Sequence, residues 1–261
     1  MSIFQAIVYG VVQGIGEFLP ISSTAHLILV PWFFGWGDPG VAFDVALHLG
    51  TALAVILFFW KDWISLISSG FTKPKSENGK LFWLIIAATI PGGIFGVLLD
   101  NYMQNFRNPA LIGIMLIIMG IVLYYADKIG SKEIEMEKIG LKRSLVVGFS
   151  QVLAVVPGVS RSGITMSAGR FMGIERESIA KFTFLLSSPI ILGDALYHLK
   201  KMGNIPIDKG SFIVAVLTSA IVGALAIKFL LDYLKNKGFA IFSIYRFILG
   251  AIVIAVYFIK H

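Results

Sequence analysis

Long apolar runs alternate with short polar ones along this chain. The stretches 43–67, 80–100, 109–127, 178–200, 211–234 and 240–260 are continuous enough to read as membrane-spanning helices, for which about 20 apolar residues suffice. Polar linkers separate them, most clearly TKPKSENGK (72–80) and DKIGSKEIEMEKIGLKR (127–143), each carrying lysines and helix breakers. Two further apolar stretches, 3–34 and 144–172, are interrupted midway, one by Pro20 and Ser22-Ser23, the other by Pro157-Gly158 and Ser160 with Ser162. Each half, at about 12–15 residues, is too short to cross alone. The pattern predicts two re-entrant hairpins, whose broken backbone survives at membrane depth only inside protein or beside a watery cavity.

The two halves of the chain repeat. Gly10-x-x-Gln13 followed by Pro20-x-Ser22-Ser23 answers Gly148-x-x-Gln151 followed by Pro157-x-x-Ser160-Arg161-Ser162. Phe43 with Leu47 and Leu49 answers Phe182 with Leu185 and Leu186, the segment around Thr89 answers that around Thr218, and Gly120-Ile-Val answers Gly250-Ala-Ile-Val. Four matches in the same order indicate an internal repeat. The expected division is a first repeat over 1–130, a cytoplasmic linker over 131–143 and a second repeat over 144–261, within one membrane domain. Each repeat holds one hairpin and three spans. An odd number of spans makes the second copy enter from the opposite face, an inverted-topology repeat in which the two hairpins meet near the midplane. The fold class expected is an all-α integral membrane protein with six transmembrane helices and two re-entrant hairpins.

Composition fits: of 261 residues 57% are hydrophobic and 14% charged, against about 25% charged in soluble domains. Cysteine is absent, which excludes disulfides, thiolate metal sites and cysteine nucleophiles. The net charge of +7 places lysines against anionic headgroups and implies no nucleic-acid partner. The opening MSIFQAIVYG has no basic segment and predicts no cleaved signal. Lys73, Lys75, Lys80, Lys128, Lys132, Lys138, Lys142, Arg143, Arg176, Lys235 and Lys237 gather on one side, against Arg107, Lys200, Lys201, Lys209 and Lys260 on the other. By the positive-inside bias the first side is cytoplasmic and both termini lie outside.

Within the apolar hairpins stand Glu17, His26 and Arg161. Charges at such depth cost roughly 2.5–3.5 kcal/mol each on insertion scales and mark functional sites by default; a purely structural Glu17–Arg161 pair is the competing reading. Gln13 and Glu17, four apart, share one helical face. Ser22 or Ser23 caps the half-helix after Pro20, and His26 lies about one turn further on. Ser160, Arg161 and Ser162 repeat the arrangement with a guanidinium added. Half-helix N-termini, hydroxyls and a guanidinium describe a phosphate pocket. Asp44 and His48 read equally well as helix-stabilising residues near an outer end, Asp194 and His198 as interfacial, and Arg170, Glu175, Arg176 and Glu177 as a solvated loop.

GVVQGIGEFLPISSTAH and PGVSRSG resemble the two signature motifs of the undecaprenyl-diphosphate phosphatases of the UppP/BacA type, and the resemblance covers essentially the whole chain, YRFILG near the end included. It implies hydrolysis of a polyprenyl diphosphate to the monophosphate and inorganic phosphate in the bacterial cell membrane. That reaction recycles the lipid carrier of peptidoglycan synthesis and confers bacitracin resistance. The family's (E/Q)xxxE pair falls on Gln13 and Glu17, its serine–histidine segment on Ser22, Ser23, Thr24 and His26, and its second motif on Ser160, Arg161, Ser162 and Gly163. Many members have glutamate where this chain has Gln13, whose amide lends no charge. The implied assignment makes Glu17, His26, Ser23 and Arg161 catalytic. Ser22, Thr24, Ser160, Arg161, Ser162 and Gly163 bind the diphosphate. Glu17 with Gln13 serves as general base or holds a divalent cation, Mg2+ or Ca2+. The nucleophile is Ser23 or His26. The site is expected to open outward, with membrane lipids as surroundings and a homodimer as one possible assembly. Inverted repeats with broken helices also suit a polyprenyl-phosphate transporter or flippase; the serines beside Glu17, His26 and Arg161 favour a hydrolase, because transport needs no nucleophile.

Overall fold

The computed structural model describes residues 1–37, 41–103, 106–130, 134–201 and 208–260. Residues 131–133 of the expected linker lie outside the described residues, as do the side chains of His198, Lys200 and Lys201. The described chain is helical, and an isolated bridge between Ile134 and Ile174 is its only β-type pairing. Ser2 starts α1 (Ile3–Phe18) through a reciprocal capping box with Gln5, and the chain breaks at Leu19-Pro20, where proline cannot continue a helix. Then follow α2 (Ser23–Phe34), α3 (Val41–Phe58), α4 (Trp60–Thr72), α5 (Glu77–Met103) and α6 (Pro109–Ile129). The second half contains α7 (Gly140–Ser150), tightening into a 3-10 turn over Gln151–Val155, then α8 (Arg161–Phe171), α9 (Arg176–Lys201), α10 (Lys209–Leu234) and α11 (Ala240–Lys260).

Five of these helices (α5, α6, α9, α10 and α11) are individually long and apolar enough to cross a membrane, and α3 with α4, a bent pair, makes a sixth when the two are counted as one span. The protein is an all-α membrane protein of the expected class, with one difference. The run 43–67 is not straight: α3 and α4 are bent by 71° at Phe59. Neither proline nor glycine marks the break. Lys61 and Asp62 follow it directly, and Asp62 receives an ion pair from Lys181 Nζ at 2.7 Å, which ties the bend to α9.

Packing follows the repeat. The first arm of each hairpin lies against a helix of the other half, α1 on α10 and α7 on α5, while α6 pairs with α11 and α3 with α9. The exchange needs small residues at the crossings. A Cβ on Gly10 would come within 2.7 Å of Thr218 Cβ, and one on Gly14 within 2.7 Å of the Gly223 nitrogen. The hairpin tips interlock where they meet: the Gly158 N–H donates to Ser22 Oγ (3.3 Å) and Ser162 Oγ donates to the Leu19 carbonyl (3.0 Å).

The segment 170–177 corrects the expectation of a solvated loop. Arg170 is fully buried and donates to the carbonyls of Ile174 (2.6 Å) and Gly130 (2.8 Å). Arg176 grips Asp127 through Nε (2.6 Å) and Nη2 (3.1 Å), and Asp127 also accepts from the Phe239 N–H (2.9 Å). The end of α8 is thus covered by the ends of α6 and α10–α11, and Arg170 supplies donors to the carbonyl that ends α6 at Gly130 and to that of buried Ile174. At the opposite end the Met1 carbonyl accepts from Ser211 Oγ (3.4 Å), and Lys260 Nζ reaches the Trp32 carbonyl (3.1 Å).

Gly14→Val adds methyls where Gly223 backbone already lies. Overpacking of this kind costs about 1–3 kcal/mol; a lowered thermal midpoint of the detergent-solubilised protein is the expected result.

Candidate active site

Two serines hold an unusual backbone. Ser22 (φ 78°, ψ 97°) and Ser160 (φ 72°, ψ 119°) are the only non-glycine residues among those described with positive φ. They occupy matching positions in the two repeats. Such conformations cost of order 1–3 kcal/mol each and persist where the surroundings enforce them. Here they turn the chain so sharply that α2 begins at Ser23 and α8 at Arg161, with both N-termini directed at one meeting point. Each serine caps the helix it starts, Ser22 Oγ accepting from the Ala25 N–H (3.4 Å) and Ser160 Oγ from the Gly163 N–H (3.1 Å).

The polar cavity at this point has a volume of about 40 Å³ and is lined by Glu17, Ser22, Ser23, Thr24, Ser160 and Arg161, together with Gly16, His48 and Ala154. Glu17, nearly buried, is its organiser. Oε2 accepts from Ser23 Oγ at 2.7 Å and from Gln13 Nε2 at 3.1 Å, while Oε1 lies 3.9 Å from Arg161 Nη1. That separation is an ion pair without a hydrogen bond, and buried Arg161 Nη1 has no hydrogen-bond acceptor within the protein. The arrangement can bind an anion between a guanidinium and two helix N-termini, and it presents a hydroxyl already bonded to a carboxylate.

Four expected site residues do not line the cavity. Gln13 stands behind Glu17, its amide shared between Glu17 and Thr51 Oγ1 (3.5 Å). Ser162 is engaged with Leu19 and with Ser160 Oγ (3.1 Å). Gly163 gives room to a neighbour, since a Cβ there would lie 3.0 Å from Arg246 Nη1. His26, the other nucleophile candidate, stands outside the cavity lining. Its Nδ1 donates to the Ser22 carbonyl (2.7 Å), and its Nε2 faces the Tyr245 hydroxyl (2.6 Å), with the two rings stacked. Both ring nitrogens are occupied outside the cavity, so no lone pair is presented to a phosphorus there. The reason is a partner on α11 that spacing along the motif does not reveal.

Two residues take larger places than the sequence suggested. His48 lines the cavity, with Nε2 3.9 Å from Glu17 Oε2. Arg246, fully buried on α11, fastens both breaks at once. Nη1 donates to the Pro20 carbonyl (2.9 Å), Nη2 to those of Gly158 (2.6 Å) and Val159 (3.1 Å), and Nε to that of Leu116 (3.3 Å). A lone arginine inside the apolar run 240–260 was the available signal.

Beyond Arg161 and Ala154, which belong to both, the polar cavity adjoins an apolar cleft of about 400 Å³ between α5, α9 and the 3-10 turn. Gly93, Gly96 and Gly193 line it, and a Cβ on any of them would meet nothing within 4 Å.

The family described as "Bacitracin resistance protein BacA" matches residues 6–252. The chain is 52% identical over 261 residues to an undecaprenyl-diphosphatase of Moorella thermoacetica, covering all of both chains. It is 50% identical over 263 residues to one of Caldicellulosiruptor bescii, covering all of this chain and 99% of the relative. A third, of Pelotomaculum thermopropionicum, is 50% identical over 255 residues, with 97% and 96% covered.

Arg246→Met strips the donors from four carbonyls, each buried unsatisfied group costing about 1–3 kcal/mol. Arg246→Lys restores the charge but not the planar fork. Both variants are expected to lose thermal stability and activity together, with lysine recovering only part, as measured by melting and phosphate release on the same preparations.

Proposed function

The chain belongs to the bacitracin resistance protein BacA family and hydrolyses undecaprenyl diphosphate as an undecaprenyl-diphosphatase, and from this we propose that Ser23 is its nucleophile, Glu17 the base and Arg161 the phosphoryl clamp. The observation that carries the assignment is the 2.7 Å hydrogen bond from Ser23 Oγ to Glu17 Oε2 beneath an unsatisfied guanidinium edge.

Size orients the substrate. A cavity of about 40 Å³ holds roughly three waters by the measure of about 10–15 Å³ each, room for one phosphoryl group. The terminal phosphoryl enters it, the inner phosphate stays at Arg161, and the prenyl chain runs into the apolar cleft. Ser23 Oγ attacks the terminal phosphorus as its proton passes to Glu17. The Oγ–P bond forms and the bridging P–O bond breaks, its electrons leaving on the lipid monophosphate. Arg161 and the N-termini of α2 and α8 bear the charge spreading over the phosphoryl oxygens. Water then attacks the phosphoserine, the Oγ–P bond breaks as Glu17 returns its proton to Ser23 Oγ, and inorganic phosphate leaves carrying the protons of the water.

A divalent cation fits this centre when shared with the diphosphate. Glu17 supplies the carboxylate, buried Gln13 Oε1 has no partner of its own, and phosphate oxygens complete the usual Mg2+ pattern of one or two carboxylates plus substrate. Such an ion would neutralise phosphate charge. No three His, Asp or Glu side chains group together among the described residues, which argues against a cation caged by protein alone.

The apolar cleft follows the halves of α5 and α9 that lead to the end where Met1 meets Ser211. The lysine bias assigns that end to the outside of the cell membrane. Access from outside, with both termini there, is the orientation we favour, and the substrate then enters laterally from the outer leaflet.

Purified protein in detergent, without any gradient, is expected to release phosphate from undecaprenyl diphosphate. Glu17→Gln should lower turnover by about 10²–10⁴-fold while lipid diphosphate still binds. Ser23→Ala should be at least as damaging, and His26→Asn less so. Activity confined to sealed vesicles under a gradient would support transport instead. Gly93→Trp, which fills the apolar cleft, is expected to raise KM for the C55 substrate far more than for a short-chain diphosphate, in steady-state assays of both.

A further inference from the structure

We propose that His48 is a ligand of the divalent cation in this chain, supplying through Nε2 a nitrogen donor beside Glu17, where glutamine at position 13 lends an oxygen but no charge. The inference rests on the diphosphatase reading above and extends it to the make-up of the cation site. Three observations carry it. First, His48 lines the polar cavity beside Glu17, and its Nε2 stands 3.9 Å from Glu17 Oε2. Two donors each about 2.1 Å from one ion lie at most about 4.2 Å apart, so both side chains reach a common ion with only small rotations. Second, Nδ1 lies 2.8 Å from the Asp44 carbonyl. A carbonyl only accepts, so Nδ1 carries the hydrogen and the Nε2 lone pair is left for a metal. A ring N–H tied to a backbone carbonyl is the support metal-bound histidines nearly always have. Third, buried Gln13 turns its amide to the same Glu17 oxygen while its own Oε1 lacks a partner. Rotating the amide exchanges the two atoms, which differ little in shape, and gives the ion a third protein donor.

The helix that carries His48 is fixed at this level. Thr51 Oγ1 donates to the His48 carbonyl (3.0 Å) and lies 3.5 Å from Gln13 Nε2, coupling α3 to α1. Arg161 Nη1 approaches the other carboxylate oxygen, Oε1, so a cation on the His48 side of Oε2 leaves the guanidinium in place and adjoins the Ser23 and Gln13 donors that Oε2 already accepts. An imidazole among oxygen donors moves the preference of the site from Mg2+ and Ca2+ toward Mn2+ and later first-row ions.

The test uses Mn2+ together with methylenediphosphonate, a non-hydrolysable diphosphate that supplies the phosphate oxygens, as probe with the full-length protein in detergent. Electron spin-echo modulation of bound Mn2+ is expected to show ¹⁴N coupling from one imidazole, absent in His48→Gln, and Mn2+ affinity should fall by about 10-fold or more. His48→Asn, which keeps a donor near the Asp44 carbonyl but no Nε2, serves as a second variant should the first fail to fold; it should also lack the coupling. Nitrogen modulation that persists in either variant, unchanged affinity in both, or wild-type protein binding Mn2+ without nitrogen coupling or not at all overturns the proposal. Phosphate release separates the two readings: a wild type that hydrolyses undecaprenyl diphosphate through Glu17 yet shows no imidazole on Mn2+ rejects His48 alone. A wild type that does not hydrolyse it rejects the diphosphatase centre itself.

Discussion

A helix that stops inside a membrane leaves up to four carbonyls or four amides without partners at each end, and hydrocarbon supplies none. This protein stops helices there twice, at Pro20 and Pro157, and everything functional depends on how those breaks are satisfied. Arg246 does most of it. One planar fork accepts the burden of carbonyls from both hairpins and from α6, and its charge is spread over four backbone oxygens. Because the same guanidinium binds Pro20 on one side and Gly158 on the other, the two hairpins cannot separate without exposing it.

With the tips held together, the remaining features follow. The strained backbones of Ser22 and Ser160 start two helices toward one point, and their hydroxyls cap those helices. The first hairpin contributes a hydroxyl with its carboxylate, and the second contributes the guanidinium. The repeat therefore gives shape symmetrically and chemistry unequally: Glu17 has no acidic counterpart on the 3-10 turn Gln151–Val155, and Arg161 has none at the start of α2. The crossings themselves are tight on both sides, α1 on α10 through Gly10 and Gly14 and α7 on α5 through Gly148, which lies against Ala88; beyond the second crossing Gly93 and Gly96 of α5 border open space that becomes the apolar cleft.

Much of this was legible in the chain. Interrupted apolar runs announced the hairpins, because proline and paired serines inside hydrocarbon break a helix that a simple span would have kept whole, and buried charges pointed to Glu17 and Arg161. What escaped the sequence depended on distant partners. His26 sits in the more distinctive motif, yet Tyr245, far along the chain, takes its ring away from the cavity. His48 sits in an ordinary helical stretch, and only the packing of α3 beside α1 brings it to Glu17. The bend at Phe59 carries no breaker residue, and an ion pair from Asp62 to α9 fixes it. Arg170 reads as solvated because the charged cluster of Glu175, Arg176 and Glu177 follows it in sequence, while in space it serves the carbonyls of Ile174 and of Gly130 at the end of α6.

The unequal sizes of the two adjoining spaces impose a sequence on departure. The small polar chamber and the wide apolar cleft share Arg161 and Ala154 as a common wall. With the diphosphate bound as proposed, the isoprenoid monophosphate would stand between the chamber and the cleft, and its withdrawal would open the chamber to the water that completes the cycle. Under that binding mode the bulky product leaves first and the small one last.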